Sequence, residues 1–124
     1  MKTFIFMAML FCHIIDDYKL QSPILTQLKQ RAWWEEHAPN PSYRYDYIMA
    51  LIMHAISWSF MIHLPVAVYY RFDIPTLFVL SFMINATIHG FVDDLKANRR
   101  KINLITGQSI HIIQIIITAY MLLN

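Results

Sequence analysis

The stretch that decides the fold class extends from Tyr47 to Tyr70 and has the sequence YIMALIMHAISWSFMIHLPVAVYY. It contains no Asp, Glu, Lys or Arg, and its only ionisable groups apart from tyrosines are the imidazoles of His54 and His63. A helix needs roughly 20 mainly apolar residues to cross the hydrocarbon core of a bilayer. This stretch has that length, so it predicts a transmembrane helix.

The composition of the whole chain indicates the same class of protein. The 124 residues are 57% hydrophobic and 15% charged, with two glycines and five prolines, whereas typical soluble domains are about 25% charged. The sequence therefore predicts a single α-helical membrane domain over residues 1–124, with the lipid bilayer as its first partner. The net charge of +2 is too small to indicate binding of nucleic acid.

Three further apolar segments predict three more transmembrane helices. The four predicted spans cover approximately residues 3–18, 47–70, 74–91 and 102–123. The first segment resembles a signal peptide, but no small-x-small cleavage site follows it, so we expect a retained helix. Because short links join antiparallel neighbours, the expected fold is all-α, an up-and-down four-helix bundle in the membrane.

The link between the first two spans is long enough to contain a short helix of its own. Ser22 is a favourable N-cap, and Pro23 follows it at the first helical position. Further along, Trp33 and Trp34 suit the head-group region of a bilayer. These features predict an interfacial helix over residues 23–37.

Lysine and arginine are distributed unevenly between the links. Lys2 and Arg71 lie on the side of the chain termini, and the other eight lie in the first and third links, at Lys19, Lys29, Arg31, Arg44, Lys96, Arg99, Arg100 and Lys101. Basic residues are enriched in the cytoplasmic links of membrane proteins. Both links are therefore predicted to be cytoplasmic, with both termini outside the cytoplasm.

Four histidines are predicted to lie at one depth, each in a different helix. All are near the cytoplasmic ends of their helices: His13, His54, His89 and His111. Asp17 and Asp93 follow the first and third of them by one helical turn, which places each pair on one helix face. Ionisable side chains inside a membrane are costly and indicate function. These four histidines and two aspartates are therefore candidate metal ligands.

Imidazole and carboxylate ligands suit a divalent metal, with zinc favoured and manganese, iron or nickel also compatible. Two arrangements fit the spacing: each aspartate binds the metal with its histidine, or it accepts the second ring N–H of that histidine. A bound metal would activate water, with Asp17 or Asp93 as the base. Gln108, one turn before His111, would orient the substrate or the water.

Several other residues receive more ordinary interpretations. Asp16 and Asp94 are expected to be interfacial charges that end helices, although either carboxylate could be a substitute ligand. His63 lies towards the other side of the membrane and is expected to be structural or interfacial. Trp58 fits packing and an aromatic belt. Lys96 lies on nearly the same face as the histidine and aspartate of the third helix, and is expected to contact an anionic substrate head group.

The same residues form a pattern that resembles a known family. Its elements here are HIIDDYKLQ from His13 to Gln21, His54, HGFVDDLK from His89 to Lys96, and QSIH from Gln108 to His111. The pattern is similar to that of the small bacterial and phage membrane proteins numbered 3307 among the domains of unknown function. The resemblance covers nearly the whole chain. It implies a polytopic protein of the bacterial inner membrane, or of the host membrane during phage infection. Gln21 is expected to contact the substrate with Lys96.

The sequence departs from that family pattern at two positions. Tyr18 stands where the family has phenylalanine, and Gly107 stands where the family has an aspartate before the glutamine of the fourth helix. The fourth helix therefore lacks this carboxylate, and Asp16 or Asp94 could compensate for it.

These observations favour a metal-dependent hydrolase that acts on a lipid or lipid-linked substrate at the cytoplasmic face. A proton or metal-ion conduit is the first alternative, because chains of Asp and His also relay protons and a homo-oligomer could complete a path. The second alternative is a non-catalytic membrane interaction protein with a structural metal or a hydrogen-bonded polar core. The sequence leaves all three open.

Overall fold

The computed structural model describes residues 1–124, and its regular elements are all helical. A short helix continues into a π-helical turn, two very short helices follow in the first link, and three long helices complete the chain. In order, the elements are α1 (Lys2–Ile15), the π-turn (Asp16–Leu20), α2 (Pro23–Leu28), α3 (Arg31–His37), a 3₁₀ turn (Pro41–Tyr43), α4 (Asp46–Tyr69), α5 (Thr76–Ala97) and α6 (Leu104–Leu123). The predicted all-α class is confirmed.

Three of the four predicted spans are helices that are long and apolar enough to cross a membrane. These are α4 with the turn before it, α5 and α6. The first helix, α1, has 14 residues. Its length is about 21 Å, which is shorter than the roughly 30 Å of a hydrocarbon core. The π-turn extends it by five residues. A fourth span at α1 therefore stays a prediction.

The four longest helices pack side by side, with α4 against α1 and α5, and α6 against α1 and α5. Tyr70 closes one end of this helix assembly by donating its hydroxyl hydrogen to the carbonyl of Leu122 at 2.5 Å. The half of the assembly at this end has an apolar core, whose fully buried members are Met9, Trp58, Ile62, Val66 and Ile115. Polar side chains fill the other half.

The single interfacial helix predicted over residues 23–37 is wrong, because this segment divides into α2 and α3. The break lies at Gln30, whose backbone is extended (φ −96°, ψ 119°). Asn98, just after α5, stabilises the break from both sides. It accepts the N–H of Arg31 at 2.7 Å and donates to the carbonyl of Lys29 at 3.0 Å. The break allows the Lys29 side chain to enter the helix assembly.

Candidate metal centre

The four predicted histidine ligands meet in the polar half of the helix assembly, where all four side chains are buried. The ring centroids of His89 and His111 are 4.0 Å apart, and those of His54 and His89 are 5.0 Å apart. His13 is farther out, with its ring centroid 6.0 Å from that of His111. We use "the cluster" for these histidines together with the carboxylates of Asp16, Asp17 and Asp93.

Gly90 permits a close approach of α4 and α5 at the level of the cluster. A Cβ atom at Gly90 would lie 3.4 Å from the Cβ of Ala55, so only small side chains separate the two backbones. Small residues allow membrane helices to approach closely in this way. His54 precedes Ala55 in the sequence, and His89 precedes Gly90. The close approach of the helices therefore brings the two imidazoles together.

Asp93 lies at the centre of the cluster. Its Oδ2 is 3.4 Å from His54 Nε2 and 3.7 Å from His89 Nε2. Its Oδ1 is 3.5 Å from His111 Nε2. These separations are long for hydrogen bonds. They match a tetrahedral zinc site, in which bonds of about 2.0–2.1 Å place neighbouring ligand atoms about 3.3 Å apart. Asp93 and the imidazoles around it are thus separated by distances that a shared cation would produce.

Two sets of three donors have the spacing of a metal site. One set is His89, Asp93 and His111, and the other is Asp17, His54 and His89. In each set the ligand atoms lie within 4.8 Å of one another. His89 belongs to both sets, and its two ring nitrogens allow it to serve either. These His/Asp groups could therefore hold a metal ion, as the sequence predicts.

Several buried polar atoms of the cluster have no hydrogen-bond partner. They include both ring nitrogens of His89, Nε2 of His111 and Oδ1 of Asp17. Buried polar groups are normally hydrogen-bonded, and an unpaired one is costly. The imidazole of His89 lies against the rings of Trp58 and His111, at centroid distances of 4.2 and 4.0 Å. A cation bound by these nitrogen and oxygen atoms would satisfy them.

The charges of the cluster also favour a cation. The carboxylates of Asp16, Asp17 and Asp93 are at most 8% exposed. Lys29 Nζ lies 2.7 Å from one oxygen of Asp93, and Lys96 Nζ lies 3.5 Å from the other. Two ammonium groups against three carboxylates leave one excess negative charge when the carboxylates are ionised and the imidazoles are neutral. Buried charge is costly unless it is paired, so a bound cation would stabilise the cluster.

His13 differs from the other three histidines because both of its nitrogens have partners. Its Nδ1 accepts the indole N–H of Trp58 at 2.8 Å, which leaves the proton on Nε2. From Nε2 it donates to Gln108 Oε1 at 2.9 Å. Gln108 in turn donates to Asp17 Oδ2 at 2.9 Å. His13 lies outside both donor sets, so its role as a metal ligand stays a prediction. In the structure, His13 and Gln108 hold Asp17 in place.

A string of hydrogen bonds extends from His111, away from the cluster, to His63. His111 Nδ1 contacts Gln114 Oε1 at 3.1 Å, and Gln114 donates to Asn85 Oδ1 at 3.1 Å. Asn85 donates to Ser81 Oγ at 3.3 Å, and this oxygen lies 3.0 Å from His63 Nε2. Because the Gln114 oxygen accepts a proton from Nδ1, Nε2 of His111 keeps its lone pair towards Asp93. His63 is buried, which fits the structural alternative of its predicted role.

Trp58 packs in the core, as predicted, and also belongs to the site rather than to an aromatic belt. The side chain is fully buried, its ring lies against His89, and its N–H fixes the ring of His13. Trp58 follows His54 by four residues, which places both on one face of α4. That spacing is a signal in the sequence that could have identified it.

Asp16 also faces the cluster, and its predicted interfacial position is wrong. Its side chain is fully buried. Oδ1 accepts the hydroxyl of Ser57 at 2.6 Å, and Oδ2 lies 3.6 Å from His54 Nδ1. The π-turn is the cause, because its wider turn lets the adjacent Asp16 and Asp17 both point inwards, and such turns are frequent at functional sites. Asp16 thus supplies a carboxylate to the cluster, where Gly107 has none.

Lys29 is the most important site residue that the sequence did not predict. In the sequence it counted only as one of the basic residues that predict which links are cytoplasmic. Its side chain is 4% exposed. It donates to Asp93 Oδ2 at 2.7 Å and to Gln21 Oε1 at 2.9 Å. Gln21, which was predicted to contact the substrate, therefore supports Lys29. No local pattern indicates this role, because it depends on the break between α2 and α3.

Lys96 is the more accessible of the two ammonium groups, with a side chain that is 27% exposed. Its methylene chain lies beside Gly107, where a Cβ atom would be 3.6 Å from Lys96 Cδ. A contact between Lys96 and an anionic group stays a prediction. Asp94 is a helix-ending charge, as expected, and pairs with Arg99 at 3.1 Å. It does not belong to the cluster and is no substitute ligand.

Comparison with known proteins provides no relative from which to infer function. No family model, no curated protein and no solved structure matches the chain. The resemblance to the family numbered 3307 therefore stays a prediction.

Proposed function

We propose that the chain is an integral membrane protein whose function resides in a divalent metal site at the cytoplasmic ends of its helices. Lengthened by the π-turn, α1 would cross the membrane beside α4, α5 and α6 and complete a four-helix bundle. The exposed apolar side chains on its outer face, Phe4, Met7 and Phe11, support contact with lipid. The basic links support an orientation with both termini outside the cytoplasm.

The observation that carries the metal proposal is the pair of unsatisfied imidazoles beside Asp93. His89 and His111 have ring nitrogens without partners, at separations from Asp93 that suit one tetrahedral ion. Zinc is favoured because it combines imidazole and carboxylate ligands in this geometry. Asp17 and His54 offer the other donor set, with His89 in common.

The proposed activity is hydrolysis of a lipid or lipid-linked substrate at the cytoplasmic face. When bound, a zinc ion supplies Lewis-acid activation of water or of an ester oxygen. Asp17 suits a general base, because Gln108 fixes one of its oxygens and the other has no partner. Asp93 suits metal binding rather than proton transfer, because both of its oxygens face imidazole nitrogens of the cluster. Lys96, which is partly exposed beside the cluster, suits an anionic group of the substrate.

A proton conduit is the second candidate, and the string of hydrogen bonds from His111 to His63 favours it. This string extends from the cluster towards the apolar half of the helix assembly. Its middle members, Gln114 and Asn85, are amides. A neutral amide donates hydrogen bonds but has no readily transferred proton. Because this interrupts a relay, hydrolysis stays the preferred proposal.

The zinc content of the purified protein tests the metal site. A matched pair of variants shows whether the cluster binds the metal. His89→Gln removes a ligand that belongs to both donor sets, whereas His63→Gln changes a buried histidine outside the cluster. We expect the purified protein and His63→Gln to hold about one zinc ion per chain, and His89→Gln to lose most of it. Elemental analysis by mass spectrometry provides the measurement. Equal metal content in the two variants would contradict the metal proposal.

Activity requires a separate measurement. The zinc-loaded protein is incubated with vesicles of bacterial lipid extract, and the products are identified by mass spectrometry. We expect a hydrolysis product that depends on the metal and disappears in Asp17→Asn, because this change removes the proposed base. A zinc-loaded protein that releases no product from any lipid would instead be a non-catalytic protein with a structural metal.

A further inference from the structure

A trough on the outer surface between α4 and α5 is not part of the metal site. Its volume is about 550 Å³, within the range of roughly 300–1,000 Å³ that is common for small-molecule sites. Large apolar side chains line its sides. Three small residues leave space between the helices: Ala55, Ala86 and Gly90. None of the residues that line the trough belongs to the cluster. The trough and the metal site are therefore separate spaces.

One end of the trough is polar and basic. Tyr47, Asp94 and Arg99 line both the trough and an adjoining pocket of about 570 Å³. Arg31 and Arg100 add two further guanidinium groups to that pocket. The apolar trough and the basic pocket thus form one continuous amphipathic surface at the end of α5.

The charges of the basic pocket sum to a positive excess. Asp94 Oδ2 accepts from Arg99 Nε at 3.1 Å, and its Oδ1 is also hydrogen-bonded. Glu35 is paired with Arg31 at 2.8 Å. Three arginines therefore face two carboxylates that are both neutralised, and Arg100 supplies the excess charge. Because Asp94 engages only Nε of Arg99, the terminal N–H groups of that guanidinium stay available to a ligand.

We propose that the trough binds one membrane phospholipid, with an acyl chain between α4 and α5 and an anionic head group against Arg99 and Arg100. Guanidinium groups form strong and geometrically specific hydrogen bonds with phosphate. The proposal rests on the membrane orientation given above, in which this end of α5 faces the cytoplasmic leaflet, where anionic lipids are found. A single excess positive charge suits a lipid with a single negative charge, such as phosphatidylglycerol. This lipid is a bound ligand and not the substrate, because no residue of the cluster lines the trough.

Native mass spectrometry of the full chain in detergent tests the head-group contact, with phosphatidylglycerol and phosphatidylcholine of identical acyl chains as probes. We expect a phosphatidylglycerol adduct that the double variant Arg99→Gln/Arg100→Gln reduces at least about fivefold. Lys101→Gln is the matched control, because it removes an adjacent basic residue that does not line the pocket. Retention of the adduct by the double variant, an equal loss in Lys101→Gln, or equal occupancy by both lipids would overturn the proposal.

A second variant tests the apolar trough. Ala86→Phe fills the trough and is expected to reduce the occupancy of both lipids, while circular dichroism verifies that the helices remain. A folded Ala86→Phe protein that binds lipid as before would contradict the trough as the acyl-chain site. All these variants leave the metal ligands in place. Loss of lipid with unchanged zinc stoichiometry therefore distinguishes this inference from the proposed metal function.

Discussion

The two halves of the helix assembly are built from the same helices but are stabilised by different interactions. In the apolar half, Met9, Ile62, Val66 and Ile115 are fully buried, and close packing of this kind associates helices in a membrane. In the polar half, carboxylates, imidazoles and an ammonium group are buried together, and each depends on a charge partner. Changes in the apolar half should therefore alter stability alone, whereas changes in the polar half should alter stability and metal binding together.

The largest effect is expected from Lys29→Met, which removes an ammonium group from Asp93 in the polar half. Both side chains are at most 4% exposed, and breaking a buried pair in this way lowers the free energy of unfolding by about 3–5 kcal/mol. Thermal unfolding in detergent, followed by circular dichroism, should shift to clearly lower temperature. Added zinc should recover part of the loss, because a bound cation compensates Asp93 and stabilises the folded state.

The matched control for this variant is Arg31→Met, in the same link. Arg31 pairs with Glu35 on the surface, where ion pairs contribute little, so we expect almost no change in thermal stability. If both variants lost stability equally, the link as a whole would be responsible, and the contrast between buried and exposed charge would be lost.

A smaller effect is expected from Trp58→Phe, at the boundary between the two halves. The change keeps an aromatic ring against His89 but removes the N–H that His13 accepts. Leaving a buried acceptor unpaired costs about 1–3 kcal/mol. Because Trp58 reaches the donor Asp17 only through His13 and Gln108, we expect zinc affinity to fall by less than about tenfold. Titration against a competing zinc chelator measures this, and unchanged affinity would show that Trp58 only packs.

The smallest effect is expected from Ile62→Val in the apolar half. Removing one methylene group from a fully buried side chain typically costs about 0.5–1.5 kcal/mol. The midpoint of thermal unfolding should fall slightly, while the affinity for zinc stays unchanged because no charged or coordinating group is altered. A change in zinc affinity with this variant would mean that the two halves are coupled and would break the contrast between them.

Features that depend on periodicity along one helix could be predicted from the sequence. Hydropathy located the three long helices, since each is a nearly uninterrupted apolar segment. Ser22 marked the start of α2 correctly, because its hydroxyl accepts the N–H of Leu25 at 3.1 Å. The spacing of His89 and Asp93 placed both on one face of α5, and both lie in the cluster.

Features that depend on contacts between distant segments could not be predicted in this way. The burial of Lys29 requires a break that Asn98, at the end of α5, stabilises. The inward position of Asp16 requires a π-turn, which has no simple sequence signature. His13 has the same aspartate spacing as the histidine of α5, yet both of its ring nitrogens are hydrogen-bonded and it lies outside both donor sets. Identical local patterns therefore have different surroundings in the structure.

The contact between Gly90 and Ala55 determines one distance between α4 and α5. This distance affects both faces of the helix pair. On the inner face it sets the separation of the His54 and His89 rings, whose centroids are 5.0 Å apart. On the outer face it sets the depth of the trough. If the proposed ion and lipid both bind, a bulky side chain at Gly90 would separate the two helices and weaken the binding of both ligands together. One pair of small residues would then couple the two sites.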